Sequence, residues 1–403
     1  MKILFYADSP TCTTGFGIVA NNIIKRLLQH TDAEIEVLGI NERGDHHKLR
    51  WEKRLKITPA FDGREVHGRM KLIQKLAQGG YDHVIMIHDL ITILQPLDQN
   101  GASVVTAIEK LQPFQDTKYH LYFPVDTRFE EDGNLEEYYK LHVFDSLIPY
   151  TQFAKEQVKK AFPYTRVNLT EPMYHGVNTD EFYPIARPQR KRLKEELWNL
   201  NSKQVVVSII ARNQWRKDIA TSIHTFKELK KHIPDAFLYL HSRPIDIGGD
   251  FTRYLNLWKL ERGKDYGVVS DLDLYNGIPT ERLNEIYNAT DVLLSSAHGE
   301  GFGLPYLEAL ATKTAVMTPA TGVEEELLPK EYVHSHTGLL YESQGVDGLP
   351  FRRTYVNDPK AVALEIKNLL EHEHLPKIKE EQYNIVKERY DWDTEVQKLI
   401  NRL

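Results

Sequence analysis

A single cysteine, Cys12, stands in 403 residues. This excludes an internal disulfide framework and fits a reducing compartment. No stretch approaches the roughly 18 to 20 consecutive apolar residues that a membrane helix needs. The start, Met1-Lys2-Ile3-Leu4-Phe5-Tyr6-Ala7-Asp8, is too short and too soon charged for a signal peptide, so it reads as a first strand and the chain is expected to be cytoplasmic. Extreme charge is missing too: the net value of −6 argues against indiscriminate polyanion binding, although an average can hide a local patch. At 41% apolar and 27% charged the composition is that of an ordinary globular protein. The length suggests two domains of about 200 residues each.

What is present is an alternation of short apolar runs and helical patterns. Strand-like runs fall at Lys2–Asp8, Ile35–Ile40, His83–His88, Tyr119–Val125 and Ser146–Tyr150, with helical periodicity between several of them, as at Met70–Gln78 and Thr151–Ala161. Such alternation favours a parallel α/β sheet over a sandwich. Ligands of open α/β sheets lie beyond the carboxyl ends of the strands, which brings forward Asp8, His88, Asp89 and Asp126. After the first strand, Thr11–Gly17 opens a helix; its Gly15 and Gly17 do not match a dinucleotide fingerprint. Cys12 lies in that loop with no obvious local base. A second series begins at Val205–Ala211, a continuous β-branched run typical of a buried parallel strand. Arg212 and Lys217 follow it, and fixed cations at a strand end can neutralise a leaving diphosphate. The alternative is a solvated basic loop.

The densest pattern is residues 298 to 310, His-Gly-Glu-Gly-Phe-Gly-Leu-Pro-Tyr-Leu-Glu-Ala-Leu. Val292-Leu293-Leu294 leads in as a strand and Leu304-Pro305 starts a helix. Glycines at 299, 301 and 303 let backbone pass close to a ligand. Pro305 suits a first helical turn, whose N–H groups and dipole favour phosphate. Glu300 and Glu308 are spaced so that one can face a reacting sugar while the other holds a second hydroxyl-bearing group. A plain strand-loop-helix corner with solvated glutamates fits the spacing as well.

Glu300 through Ala311 resembles the E-x7-E signature of the family-4 retaining glycosyltransferases, which have the GT-B fold. Other segments agree: His175-Gly176-Val177-Asn178-Thr179 through Pro184 is similar to the segment closing the N-terminal domain, with Asn178 for the usual Asp. Arg212 and Lys217 match an R-x4-K pair to which Arg216 adds a third cation. Thr337-Gly338-Leu339-Leu340 resembles an N-G-x-L strand, and Arg389-Tyr390-Asp391-Trp392 the start of a last helix. Thr312-Lys313-Thr314 replaces the usual Gly-x-P. The resemblance implies an α/β GT-B architecture of two Rossmann-like parallel-sheet domains facing a cleft. It places an acceptor-side domain at 1–183, a linker at 184–203, a nucleotide-sugar domain at 204–380, and a helix at 381–403 crossing back to the first domain.

It also implies roles. Glu300 would contact the donor sugar and Glu308 the ribose, with Gly301, Phe302, Gly303 and Leu304 lining the donor. Gly15 and Gly17 would approach its phosphates, and Arg212 and Lys217 would meet the diphosphate. Asp126 would take the place of a catalytic-site histidine, with His120 one strand earlier. Asp271-Leu272-Asp273 looks like a D-x-D metal site, but it leads into Gly277-Ile278-Pro279 as the family's base-side segment does. No metal and no permanently bound cofactor is expected, only a nucleotide sugar, UDP first and GDP or ADP as alternatives.

For the acceptor the informative stretch is 43–75, with ten basic and four acidic residues, a local excess of +6. Arg50, Lys53 and Arg54 lie in it, and with His88 and Asp89 they form the expected acceptor side. A polyanion fits, such as DNA with hydroxymethylated pyrimidines flipped from the stack, as in phage-type modification enzymes acting in a host cytoplasm. An anionic envelope polysaccharide or lipid-linked glycan, met by a basic, partly amphipathic helix, is the alternative. A solvated basic face is the third reading. An epimerase, a phosphorylase or a non-catalytic sugar-nucleotide binder stays open as another class.

Overall fold

The structure, a computed structural model, describes residues 1–42, 53–61, 63, 65–97, 101–128, 140–163, 166–270, 277–343 and 352–403. It divides into two compact units. The first comprises Met1–His175 and Trp392–Leu403, the second Gly176–Glu342 and Arg353–Asp391.

The first unit is built on β1 (Lys2–Asp8), α1 (Gly15–His30), β2 (Glu34–Ile40), β3 (Leu55–Pro59), α2 (Arg69–Gln78), β4 (His83–Ile87), α3 (Leu90–Leu94), α4 (Val104–Leu111), β5 (Lys118–Phe123), β6 (Ser146–Pro149) and α5 (Gln152–Ala161). Its sheet is parallel throughout, in the order β3-β2-β1-β4-β5-β6. The central strands read as unbroken apolar runs because helices cover both faces. Leu4, Tyr6, Leu38, Met86, Leu121 and Phe123 meet in one core with Leu72 and Leu76 of α2. β3 adds a strand to those expected. Within the basic stretch Leu55-Lys56-Ile57-Thr58 alternates as a strand and pairs with β2, and the stretch's helical part is α2.

The second unit follows with α6 (Arg187–Trp198), β7 (Val206–Ile210), α7 (Ile219–Leu229), β8 (Phe237–His241), β9 (Ile245–Asp246), β10 (Gly249–Asp250), α8 (Thr252–Leu257), β11 (Tyr266–Val268), α9 (Thr280–Ala289), β12 (Val292–Leu294), α10 (Leu304–Ala311), β13 (Ala315–Pro319), α11 (Glu324–Leu327), β14 (Val333–His334), α12 (Pro359–Glu371) and α13 (Leu375–Arg389). Its main sheet is also parallel, ordered β11-β8-β7-β12-β13-β14.

The stretch 184–203, expected as a linker, is anchored in this unit. Ile185 N donates to Asn288 Oδ1 at 2.8 Å, Arg190 Nε to the Asn288 carbonyl at 2.8 Å, and Lys194 pairs with Asp291 at 2.6 Å. The C-terminal stretch is two helices. α13 lies along α10 in the second unit, and α14 (Trp392–Ile400) packs on α1 in the first, where Asp393 meets Arg26 Nε at 3.0 Å. Among the described residues no helix is long and apolar enough to cross a membrane.

Candidate functional site

In the second unit two adjacent strand ends supply the key groups. β7 is followed by a tight turn, Trp215–Lys217, and then by Asp218, which takes a left-handed backbone conformation (φ 43°) and caps α7 by accepting from Thr221 N at 3.1 Å. This kink turns Arg216 and Lys217 toward the loop after β12. There Glu300, 7% exposed, pairs with Lys217 Nζ and accepts from Arg216 at 3.3 Å. The two loops are stitched through backbone carbonyls as well: His298 N donates to the Arg216 carbonyl at 2.8 Å, and the Arg216 guanidinium Nη1 donates to the Gly299 carbonyl at 2.7 Å. The His298 ring lies 3.2 Å from the Asp218 carboxylate. Burial pushes the Glu300 carboxyl up, but the Lys217 and Arg216 charges outweigh it and hold the group below its ordinary range. Glu300 is therefore a fixed anion in a dry site.

Arg212 is placed otherwise. Its guanidinium lies on Asp246 in β9, at 2.9 and 3.3 Å, with the side chain 57% exposed. Among the described residues the cations that reach Glu300 are Lys217 and Arg216, and the spacing from Arg212 to Lys217 did not single out Arg216.

The corner into α10 depends on Gly303. Its φ is +86°, and an added Cβ would sit 2.4 Å from the Tyr306 ring, so only glycine fits. No side chain caps this helix. Phe302 is buried against Tyr390, while Leu304 is partly exposed at the helix start. One turn further, Glu308 accepts from the Tyr287 hydroxyl at 2.6 Å. Burial raises the Glu308 pKa to about 7, against the hydrogen bond from Tyr287, which lowers it, and with Glu181 raising it further. Glu324, at the start of α11, had no signal in the sequence. It is fully buried and accepts from Thr321 Oγ1 at 3.0 Å, and burial lifts its pKa to about 8, with Glu300 adding to the rise. Glu300 and Glu324 thus differ in charge at neutral pH because, among the described residues, only Glu300 has cations against it.

In the first unit α1 begins at Gly15, capped by Thr14, which accepts from Gly17 N at 3.0 Å. A Cβ on Gly17 would lie 2.6 Å from the Cys12 carbonyl oxygen, whereas Gly15 faces open space. The Thr14 hydroxyl donates to Asp8, which also accepts from Asn41 at 3.3 Å. Cys12 Sγ contacts the Asn41 carbonyl at 3.1 Å.

His88 is buried among Tyr6, Phe16 and His67. Its Nδ1 accepts from Asp89 N at 2.8 Å, and burial, then His67 and Arg69, lowers its pKa to about 3. It is a neutral ring. The Asp89 side chain is 46% exposed, and Asp126 is partly exposed beyond β5. His120 points elsewhere, stacked on His83 at 5.3 Å.

Most of the described cations of the basic stretch make contacts within the unit itself. Arg54 donates to the Leu28 and Thr31 carbonyls at 2.6 and 2.7 Å, closing the end of α1. Lys56 and Lys75 meet Glu36 at 3.1 and 2.8 Å, and Arg69 meets Glu65 at 2.9 Å. Lys53 is exposed. Arg50 and the Asp271-Leu272-Asp273 tripeptide lie outside the described residues. Among the described residues no group of three His, Cys, Asp or Glu side chains could hold a metal ion.

Two parallel six-stranded units with this corner invite comparison with known proteins. Over the whole chain the structure matches sucrose-phosphate synthase from Thermosynechococcus elongatus with a TM-score of 0.71, 16% identity and 98% of that chain covered. The fold is GT-B. A second GT-B structure, Anabaena HepE in complex with UDP and glucose, matches with a TM-score of 0.66 and 14% identity over 100% of this chain and 99% of that one. Residues 190–349, which hold the Glu300 corner, match the family described as Glycosyl transferases group 1. A probable sucrose-phosphate synthase from Thermosipho melanesiensis is 24% identical over 56% of this chain, and the match spans 45% of that protein's own length.

Proposed function

We propose that this GT-B chain is a retaining glycosyltransferase that moves a sugar from a nucleotide-sugar donor, a UDP-sugar first, to an acceptor hydroxyl. The observation that carries the reading is Glu300, a buried carboxylate fixed between Lys217 and Arg216 at two adjoining strand ends. A fixed anion can accept from the hydroxyls of a donor sugar. The cations beside it can take the negative charge that grows on a diphosphate as the glycosidic bond breaks. Preorganised charge of this kind is commonly worth several kcal/mol of barrier. Arg212 would join them, Glu308 would accept from the ribose, and Gly301, Phe302, Gly303 and Leu304 would shape the corner. Asp126, Gly15 and Gly17 keep the roles the resemblance gives them, as proposals. In front-face transfer the departing diphosphate oxygen draws the acceptor proton, so no protein nucleophile is needed. HepE, solved with UDP and glucose, supports UDP as the first donor to try.

The acceptor reading shifts. DNA with hydroxymethylated pyrimidines rests on the charge of 43–75, and among its described cations Arg54, Lys56, Arg69 and Lys75 are engaged within the unit while Lys53 is exposed. A saccharide acceptor, free or within a glycan, fits better.

The test is release of UDP from UDP-glucose, alone and with acceptors, by wild type and Glu300→Ala. Turnover lost in the variant at an unchanged fold is expected. Near-normal turnover in the variant would overturn the role of Glu300. An epimerase would instead convert the donor sugar without an acceptor, and a binder would consume no donor.

A further inference from the structure

Lys217 and Arg216 reach Glu300 from a turn that is strained at its far end. Asp218, directly after them, sits in the left-handed region at φ 43° although it carries a side chain. Such a residue persists only where its surroundings over-determine it, and such positions gather at functional sites. One support of Asp218 is local, because its Oδ1 accepts from Thr221 N at 3.1 Å and so caps its own helix α7. A second comes from 80 residues away, where His298 Nε2 lies 3.2 Å from Asp218 Oδ2.

The proton of that second bond can be placed. Burial pushes the Asp218 carboxyl up, but hydrogen bonds from His298 and Thr221 outweigh it and hold the group below its ordinary range. Asp218 is therefore an ionised acceptor, and His298 Nε2 carries the hydrogen. The other ring nitrogen, Nδ1, is buried without a hydrogen-bond partner among the described residues. The ring thus works through its Nε2–H.

The rest of His298 serves the same turn. Its backbone N donates to the Arg216 carbonyl at 2.8 Å, and its ring meets Trp215 edge-on with centres 6.3 Å apart. It stands two positions before Glu300, so one residue joins the cation turn to the loop of the carboxylate. The opposite side of the turn is braced separately. Asn213 Nδ2 donates to the Pro244 and Gly249 carbonyls at 3.1 and 2.8 Å, which ties the turn to β9 and β10.

We propose that His298 is a positioning residue of the donor site, which through Asp218 seats Lys217 and Arg216 for the diphosphate. It touches no reacting atom. The proposal rests on the reading that these two cations meet a diphosphate.

Two variants of equal length test it. His298→Gln keeps an N–H that can reach Asp218, and His298→Met has none. Hydrogen exchange on the full chain without ligand, read by mass spectrometry, reports the turn itself. The Lys217 and Asp218 amides donate to the Gln214 and Trp215 carbonyls at 2.9 and 3.1 Å. They should exchange about tenfold faster in His298→Met and at the wild-type rate in His298→Gln. By calorimetry His298→Met should bind UDP about tenfold more weakly, with uridine unchanged and His298→Gln close to wild type. A residue that mattered for packing alone would lower the melting temperature in both variants and leave the ratio of UDP to uridine affinity as it was. Unchanged exchange in His298→Met, no rescue by His298→Gln, or equal losses for UDP and uridine would each overturn the role. Lys217→Met, run beside them, separates two failures. Wild-type UDP affinity in that variant would sink the diphosphate reading, whereas a weakened one beside an unmoved His298→Met would sink His298 alone.

Discussion

Lys217 and Glu300 form a buried ion pair whose carboxylate is shared with Arg216 at 3.3 Å. Neither cation is close to Glu300 in sequence, and both reach it because Asp218 takes a left-handed turn directly after them. One buried anion between two cations has consequences for stability as well as for chemistry.

Glu300→Gln should lower stability by roughly 3–5 kcal/mol, because it takes the countercharge away from two largely buried cations. The Glu300 carboxyl is held below its ordinary value of 4.5, so the pair's contribution is present above that pH and is lost as pH falls through the lowered value. Wild type should therefore lose stability on acidification more steeply than Glu300→Gln, as thermal melts from pH 3 to 7 would show. Parallel curves would mean that the pair contributes nothing net. Donor turnover in Glu300→Ala should fall about 10²- to 10³-fold if the carboxylate holds the reacting sugar.

Gly303 and Gly15 separate fold from ligand approach. Gly303→Ala forces a Cβ to 2.4 Å from the Tyr306 ring at φ +86°. It should cost about 1–3 kcal/mol from backbone strain, and more from the clash. Gly15→Ala meets nothing within 4 Å and lies at a helix start, so it should leave stability unchanged or raise it by about 0.4–1 kcal/mol. If the first-unit loop approaches a donor phosphate, Gly15→Ala will nonetheless weaken UDP binding by calorimetry. Unaltered UDP affinity would remove Gly15 from the donor site.

Glu308 should make UDP binding depend on pH. Its pKa is raised to about 7 by burial, so near neutrality half of the sites carry a proton. Against the fold alone this group's stabilising share is full below its ordinary pKa and is lost as pH rises through 7. A ribose hydroxyl donating to the carboxylate favours the ionised form, so UDP affinity should rise between pH 6 and 8 with proton release on binding. Calorimetry in buffers of different ionisation enthalpy reads the proton directly. Glu308→Gln should abolish the dependence; a pH-independent wild type would separate Glu308 from the ribose.

Much of this architecture was legible because its signals are local. The parallel strands are continuous apolar runs, and the Gly303-Leu304-Pro305 corner carries its own turn chemistry. Partners distant in sequence were not legible. Arg212 drew notice by its spacing from Lys217, yet it lies on Asp246 in β9, 34 residues away. Arg216 looked superfluous and reaches Glu300. Glu324 gave no sign, since a buried acid in the run Glu324-Glu325-Glu326 reads as a solvated helix start. The excess of +6 at 43–75 counted charges without their partners, and Glu36 on β2 alone takes two of those lysines.

Arg54 makes that last point testable. Its guanidinium closes the last turn of α1 on two carbonyls, so Arg54→Ala should cost about 1–3 kcal/mol. Affinity for duplex DNA, if measurable, should not change, nor should its salt dependence. A phosphate contact would instead reduce the slope of log K against log salt by about 1. That result would restore the polyanion reading of this face.

Arg212→Ala decides how many cations a diphosphate meets. With its side chain 57% exposed, the Arg212–Asp246 pair is worth about 0–1 kcal/mol, so the melting temperature should hardly move. Charge-assisted hydrogen bonds to a diphosphate are worth more, about 1.5–3 kcal/mol. UDP affinity should then fall roughly 10- to 100-fold, while uridine, which lacks the phosphates, binds as before. Equal losses for both would place Arg212 on the nucleoside. Unchanged UDP affinity would leave Lys217 and Arg216 as the diphosphate's cations and Arg212 as a surface ion pair with Asp246.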